Sequence, residues 1–315
     1  MDHYYIVVNE SAGSGHAKQI WQSIKKSLIT KEVHFDAHLT KYMGHASLLT
    51  ENYARHFQPS KTADNQIILV IGGDGTLNEC INGIKNAGKF DIPVAYIPAG
   101  SGNDFARGAG IPKAPLVALE QILNTTSPKL LNLGVMQELS RNEKKYFINN
   151  VGVGFDAQIV SIANQSRSKK LLNKLHLGSL TYLSALLGTL SKQAAFPVTV
   201  QVNGQREFYQ DAFLLTTSNH PYFGGGVPIL PMADPAKSNL DLIIIEKSNI
   251  LKLLYLAILM LSGKHITQKG VHHFTSNKIK LSVDSLEYGQ MDGEDLGTRF
   301  FEIEYSVLSY PFWLN

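Results

Sequence analysis

The sequence predicts an α/β domain built on a parallel sheet, followed by a second, mainly antiparallel β domain. Three observations lead to it. Short apolar runs alternate with helical patterns through the first third of the chain, the signature of strands covered by helices on both faces. Those runs end in glycine-bearing turns, as strand-to-helix connections do. Beyond about residue 128 the texture changes to strand-like stretches separated by hairpin-type turns. The α/β domain is therefore assigned to residues 1–128 and the β domain to 129–305. The C-terminal segment, about 306–315, is a candidate to pack back on the first domain.

In chain order, the first strand is the apolar run at 4–8, and the turn after it carries Ser11, Gly13 and Gly15. Ile20, Ile24 and Leu28 then recur on one face of a helix. A strand at 33–39 and a helix at 46–57 follow. The run at 67–71 is apolar throughout and stops at Gly72-Gly73, which suits a strand buried on both faces. A helix from about Thr76 and a strand at 92–97 complete the pattern. In the second domain, strands are predicted at 146–153, 198–202, 208–217, 240–245, 278–283 and 300–305. Asn203-Gly204 supplies one hairpin turn. Helices near 156–165, 178–192 and 249–262 interrupt these strands.

Composition narrows the function. The 315 residues are 44% hydrophobic and 17% charged, a globular composition, and too long for one compact core. Lys and Arg number 29 against 26 Asp and Glu, a net charge of +3, so no nucleic-acid partner is expected. The single cysteine, Cys80, excludes an internal disulfide and any zinc site needing two thiolates; a cytoplasmic location is expected. Cys80 itself reads as a small core residue. The N-terminus lacks the pattern of a secretory signal. The longest apolar run, 253–261, falls short of the roughly 20 residues that span a bilayer, and 251–261 is expected as a buried helix. His272 and His273 are adjacent and point to opposite faces of a strand, so a shared metal is not expected.

The segment Ile71-Gly72-Gly73-Asp74-Gly75-Thr76-Leu77-Asn78-Glu79 is the most informative. Three glycines at a strand-to-helix switch let the backbone turn tightly and let a phosphate approach the amide N–H groups. The helix that opens there adds its positive dipole end. Asp74, an acid among those donors, is suited to a Mg²⁺ that bridges phosphates. A second such loop is Pro98-Ala99-Gly100-Ser101-Gly102-Asn103-Asp104-Phe105-Ala106-Arg107, and a third is Asn9-Glu10-Ser11-Ala12-Gly13-Ser14-Gly15. All three fall at the carboxyl ends of strands, where open α/β sheets bind ligands. A nucleotide site explains them better than turns alone. There is no Walker-type phosphate loop, no G-x-G-x-x-G opening the first helix, and no protein-kinase signature.

Gly72–Glu79 and Pro98–Arg107 resemble the GGDGT-x-N-E and P-x-G-T-x-N-D-F-A-R motifs of the diacylglycerol kinase catalytic domain. The whole chain from Asn9 is similar to the soluble bacterial lipid kinases of the diacylglycerol kinase B and YegS type. The resemblance takes in Asn150-Val151-Gly152-Val153-Gly154-Phe155-Asp156, Phe223-Gly224-Gly225-Gly226 and Met291-Asp292-Gly293-Glu294. It implies an N-terminal domain like those of NAD kinase and 6-phosphofructokinase, a β-sandwich behind it, and ATP with Mg²⁺ in the cleft between. By matching motifs, the nucleotide would meet Gly72, Gly73, Asp74, Gly75 and Thr76, with Asn9, Gly13 and Thr40 alongside. Asn78, Glu79, Ser101, Asn103 and Asp104 belong to the same motifs; Ser101 stands where the family usually has Thr. Asp292 and Glu294 match the catalytic acids, and the choice of base between them stays open. On sequence alone, Asp292-Gly293 would be an ordinary β-turn. One departure is Lys237-Ser238, in place of an Asp-Gly pair that helps bind an accessory Mg²⁺ in the family, which puts a cation where a carboxylate would ligate.

The resemblance therefore implies an ATP-dependent lipid kinase, with diacylglycerol as the leading acceptor and phosphatidic acid as product. A kinase of a soluble acceptor such as NAD, and a non-catalytic nucleotide-binding regulator, are the alternatives. Its partner would be a lipid at the inner face of a membrane, with an exposed β edge allowing a homodimer. From 157 to 206 there is no Asp or Glu, while Arg167, Lys169, Lys170 and Lys174 interleave with leucines. That stretch fits a membrane-docking face or a solvated helix face equally.

Overall fold

The computed structural model describes residues 2–58, 65–88, 91–158, 190 and 193–314. Four strands run parallel in the order β2-β1-β3-β4: β1 His3–Val8, β2 His34–Leu39, β3 Gln66–Gly72 and β4 Val94–Pro98. The strand period of two sends their apolar residues to two separate cores. Val7, Ile68, Val70 and Val94 face α2 (His45–His56) and α3 (Asp74–Ala87), where they meet Ala46, Ala54, Leu77, Cys80 and Ile81. Ile6, Val8, Leu69 and Ile71 face the other way, against Ile20, Trp21 and Ile24 of α1 (His16–Thr30) and Leu119 and Ile122 of α5 (Pro115–Asn124). A short helix, α4 (Asp104–Gly108), follows β4. Full burial of each such aliphatic side chain contributes about 1.5–3 kcal/mol relative to exposure, so the two cores fix the sheet between its helices.

The remaining strands are antiparallel. They are β5 Lys129–Glu138, β6 Glu143–Phe147, β7 Asn150–Gly154, β8 Phe196–Val202, β9 Gln205–Ser218, β12 Leu240–Glu246, β13 Val271–Ser276, β14 Lys278–Met291 and β15 Glu294–Phe312. A small hairpin pairs β10 Tyr222–Phe223 with β11 Val227–Pro228. The long strands β9 and β14 each pair with β8 through one half and β7 through the other, enclosing a core of Val151, Val198, Leu215, Ile279, Phe301 and Ile303. Helix α6 (Ile250–Met260) packs Leu253 and Leu256 on the opposite face, against Phe213, Ile243 and Ile245.

β14 and β15 are joined by Asp292-Gly293, both at positive φ (50° and 83°), a two-residue turn whose twist matches the flanking strands. β15 then leaves the antiparallel region. Phe312 pairs in parallel with Val94, the Trp313 amide donates to Val94 O at 2.8 Å, and the Trp313 indole donates to Ile122 O at 3.0 Å.

Several expectations need correction. The strand expected at 146–153 is two strands, because the amides of 148 and 149 leave the ladder to serve the Asp292 carboxylate. β14 and β15 run far beyond 278–283 and 300–305, β5 was not expected, and β13 was anticipated only as the strand holding His272 and His273; β5 has no regular alternation to mark it. The segment 251–261 is not wholly buried: Leu253 and Leu256 are, while Leu251, Tyr255, Ile258 and Leu261 are exposed. The helix expected at 178–192, most of that at 156–165, and Arg167, Lys169, Lys170 and Lys174 lie outside the described residues.

Candidate active site

A cleft of about 450 Å³ opens at the carboxyl ends of the parallel strands. Asn9 and Gly13 line it from the first loop, Thr40 from the end of β2, Gly73, Gly75, Thr76 and Glu79 from the start of α3, and Ser101 from the loop after β4. Glycine is required where these loops cross. Gly13 has φ +57°, and a Cβ there would sit 2.6 Å from Ala99 O. A Cβ on Gly100 would sit 2.5 Å from Gly73 Cα. At Gly75 a Cβ would meet no atom within 4 Å, so the first turn of α3 faces open space. The first N–H groups of a helix have no internal partner, and with the helix dipole they suit a phosphate. Asn9 stiffens this wall: its Nδ2 donates to Thr76 Oγ1 at 3.0 Å and its Oδ1 accepts the Ser11 amide at 3.1 Å. Glu79 accepts the amides of Gly44 (2.9 Å) and Ala46 (3.2 Å), holding the start of α2 beside the cleft.

The other motif residues do not line the cleft themselves. Gly72 lies beneath it and accepts from the Tyr96 hydroxyl at 3.1 Å. Asp74 accepts the amides of Asp104 (3.2 Å) and Phe105 (3.1 Å), so it caps α4 as well as flanking the cleft. Burial, followed by repulsion from Asp104, raises its carboxyl above the ordinary range against the pull of those amides. Asn103 closes its own loop through Gly100, donating to Gly100 O and accepting the Gly100 amide, both at 2.9 Å. Asp104 pairs with Arg107 at 2.6 Å and accepts the Gly225 amide at 2.8 Å, which ties the glycine-rich hairpin of the second domain to α4.

Asn78 is directed at the second domain, where its Nδ2 donates to Tyr146 O (2.8 Å) and to Asp292 Oδ2 (2.6 Å). Asp292 also accepts the amides of Ile148 at 2.8 Å and of Asn149 and Asn150 at 2.9 Å. Both its oxygens are therefore committed. Burial pushes the Asp292 carboxyl up to about 7 while the three amides pull it down and Asp74 adds to the rise. Glu294 differs: its side chain makes no hydrogen bond among the described residues and it is exposed. Partial desolvation and the neighbouring Glu79 raise its carboxyl, while Lys145 opposes the rise. The two acids sit one glycine apart, one structural and one free.

Sequence reasoning missed three polar residues that build this junction. Asn149 donates its amide to Asp292 and also hydrogen-bonds Asp74, bridging the two acids. His220 is buried with its ring pKa lowered to about 3 by desolvation, so it is neutral. Its Nδ1 accepts the Tyr222 amide at 3.1 Å, which leaves Nε2–H to donate to Asn149 Oδ1. Gln290 accepts the Gly293 amide at 3.0 Å and donates to Asn150 Oδ1 (2.6 Å) and Asp156 Oδ2 (3.2 Å). Lys41, Tyr42 and Met43 also line the cleft and were not anticipated. A polar side chain facing an apolar strand, as at Gln290, was the available signal.

At the departure near Lys237, its ammonium lies 4.0 Å from Asp234. Asp241 accepts from His273 Nε2 at 2.7 Å and Thr275 Oγ1 at 2.6 Å. Among the described residues, no group of three or more His, Cys, Asp or Glu is arranged to hold a metal by itself. Mg²⁺ in phosphoryl-transfer sites is characteristically held by one or two carboxylates together with substrate phosphates, and Asp74 is the carboxylate at the phosphate-facing turn.

The diacylglycerol kinase catalytic domain matches residues 3–133, and the YegS C-terminal NAD kinase beta sandwich-like domain matches residues 149–306. "Putative lipid kinase YtlR" of Bacillus subtilis is 31% identical over 307 residues, 97% of each chain. A diacylglycerol kinase of the same organism is 28% identical over 231 residues, 72% of this chain and 71% of that one. The crystal structure of a diacylglycerol kinase from Bacillus anthracis superposes with a TM-score of 0.69 at 22% identity, covering 100% of this chain and 97% of that one, which shows the shared fold. The chain belongs to the diacylglycerol kinase catalytic-domain family, with a β-sandwich-like domain behind the catalytic one. It is a kinase. Among the described residues no helix is long and apolar enough to cross a membrane.

Proposed function

We propose that the protein transfers the γ-phosphoryl group of Mg-ATP to a hydroxyl of diacylglycerol, giving phosphatidic acid and ADP. The observation that carries this reading is the free Glu294 carboxylate, set one residue beyond a turn locked to α3, beside a glycine-lined cleft. The parallel order β2-β1-β3-β4 supports reading the first domain as like those of NAD kinase and 6-phosphofructokinase. Names of relatives support a lipid acceptor. We also propose that the enzyme works from the cytoplasm on the inner face of the membrane.

The roles follow from the geometry. The amides of the first turn of α3 and of the Gly13 loop would hold the ATP phosphates, with Thr40 and Ser101 at the rim. Mg²⁺ would supply charge neutralisation on the phosphates, with Asp74 as its protein carboxylate. Phosphoryl transfer needs positioning, charge neutralisation and a base. Glu294 takes the proton of the lipid hydroxyl; that oxygen bonds to the γ-phosphorus as the bond to the β-phosphate oxygen breaks. Asp292 positions Glu294 and does not itself take the proton, because both its oxygens already accept N–H groups. Raised carboxyls at the site bring proton acceptance nearer neutral pH.

Transfer of label from γ-labelled ATP to a panel of lipids in mixed micelles, with NAD as a soluble acceptor, tests the reading. Label in diacylglycerol supports it. Label in NAD alone replaces it with a soluble-acceptor kinase, and ATP binding with no label in any acceptor replaces it with a nucleotide-binding regulator.

A further inference from the structure

Helix α6 presents an apolar ridge to solvent. Asn249 caps it, its side chain accepting the Lys252 amide at 2.9 Å, and the eleven residues that follow contain one charge, Lys252. Leu253 and Leu256 turn inward. On the outer face Leu251 is 76% exposed, Tyr255 52%, Ile258 66% and, just past the helix, Leu261 68%. Leu251, Tyr255 and Ile258 stand at i, i+4 and i+7, a single stripe about 10 Å long. A soluble helix normally carries polar residues there.

Charge around the ridge is mostly basic; the acid beside it, Glu246, pairs with His272 at 3.1 Å and shares the surroundings of Gly270 with Lys252. From Lys247 to Val283 there is no Asp or Glu, and six lysines are present. Lys278 and Lys280 are paired with Glu304 and Glu302, and Lys247 donates to the carbonyls of Leu190 and Gln193. Lys264 and Lys269, beyond the end of the helix, are exposed and make no ion pair among the described residues. An apolar stripe with an aromatic at its middle and unpaired cations at its end is the pattern of a helix lying in the interface of an anionic bilayer. A second copy is a poorer occupant, since an isologous pairing would bring like charges together.

The ridge is also mechanically continuous with the site. Leu253 and Leu256 pack in one cluster with Ile229, Leu230 and Phe223. His265, just beyond the helix, donates through Nε2 to Ile229 O at 2.8 Å. Phe223 begins the glycine loop whose Gly225 amide meets Asp104.

We infer that α6 is the membrane-docking helix of this protein, seating its outer face in an anionic lipid surface and thereby presenting the cleft to a lipid in that surface. The inference rests on the lipid-acceptor reading for its purpose, and its test is independent of catalysis. Co-sedimentation with phosphatidylcholine vesicles containing 30 mol% phosphatidylglycerol, and with phosphatidylcholine alone, is measured for the whole protein and two double variants. These are Leu251→Glu with Ile258→Glu, and Lys264→Glu with Lys269→Glu. The wild type is expected to bind the anionic vesicles at least tenfold more tightly than either variant and than neutral vesicles. Both variants should phosphorylate micellar dioctanoylglycerol at the wild-type rate, showing an intact site. Variants that bind anionic vesicles like the wild type overturn the inference, whatever the kinase assay gives. So does a wild-type dimer that the Leu251→Glu, Ile258→Glu variant converts to monomer. Vesicle binding lost in the variants, with no lipid phosphorylated by the wild type, would leave the docking helix standing and overturn the acceptor reading instead.

Discussion

Asn78 and Asp292, 214 residues apart in sequence, meet side chain to side chain at 2.6 Å. Through this bond the first helix after the glycine loop holds the turn that carries Glu294. The contact makes the arrangement of the two domains part of the active site: separating them would strip Asp292 of one donor and move the free carboxylate.

Asn78→Leu should therefore lower turnover while sparing nucleotide binding. A fall in kcat of about 10–100-fold is expected, with ATP affinity within about threefold of wild type, because Asn78 does not line the cleft. Loss of one bond to a buried acid should also cost about 1–3 kcal/mol of stability, read by denaturant melts. Unchanged kcat would show that the bond does not position the site.

Gln290 supports the same turn from behind, through Gly293, Asn150 and Asp156. Gln290→Met preserves volume and removes all three bonds. It should cost about 1–3 kcal/mol and lower kcat more than it raises KM for ATP. Equal effects on both parameters in a well-folded variant would point to a general loosening instead.

Gly13 tests the cradle. With φ at +57° and Ala99 O 2.6 Å from any Cβ, Gly13→Ala must displace the crossing of the Gly13 and Ala99 loops. ATP affinity should fall at least tenfold by calorimetry, with the β domain's stability unaffected. Wild-type affinity would mean that phosphates do not seat against this loop.

Buried acids set the pH response. Burial raises Asp156 from 3.8 to about 7, against hydrogen bonds from Gln290 and Thr216. Between those values the folded chain holds a proton that the unfolded chain has lost, so stability falls as pH rises through the window. The contribution is on the order of 4 kcal/mol at most. Asp292 acts in the same direction. Thermal melts from pH 5 to 8 should decline for the wild type and decline less for Asp156→Asn; a wild-type profile that climbs over this range would contradict the assignment.

Much of the first domain could be read directly from residues, because its strands are short apolar runs that end in glycine. The run at 67–71 is buried on both faces and leaves little choice of conformation. The second domain was harder. In its longest strand, Glu302 and Glu304 alternate with the buried Phe301, Ile303 and Tyr305 and mark 300–305, whereas the parts on either side lack that regular alternation. Within the site, motif membership did not separate residues that line the cleft from residues that hold the loops. Thr76 and Ser101 line it, whereas Asn103 closes its own loop and Asn78 and Asp104 reach backbone groups of elements far away in sequence. The choice between Asp292 and Glu294 was likewise invisible, since it depends on which carboxylate the amides of 148–150 reach. The uniformly apolar α6 offered no polar face to mark its outer side.

The most direct test of the central claim is turnover of Glu294→Gln on diacylglycerol in mixed micelles, with ATP binding measured in parallel. The substitution keeps size and polarity and removes the base. A loss in kcat of about 10²–10⁴-fold with ATP affinity preserved is the predicted result. Wild-type turnover by this variant would contradict the role of Glu294 and move the search for the base to another group.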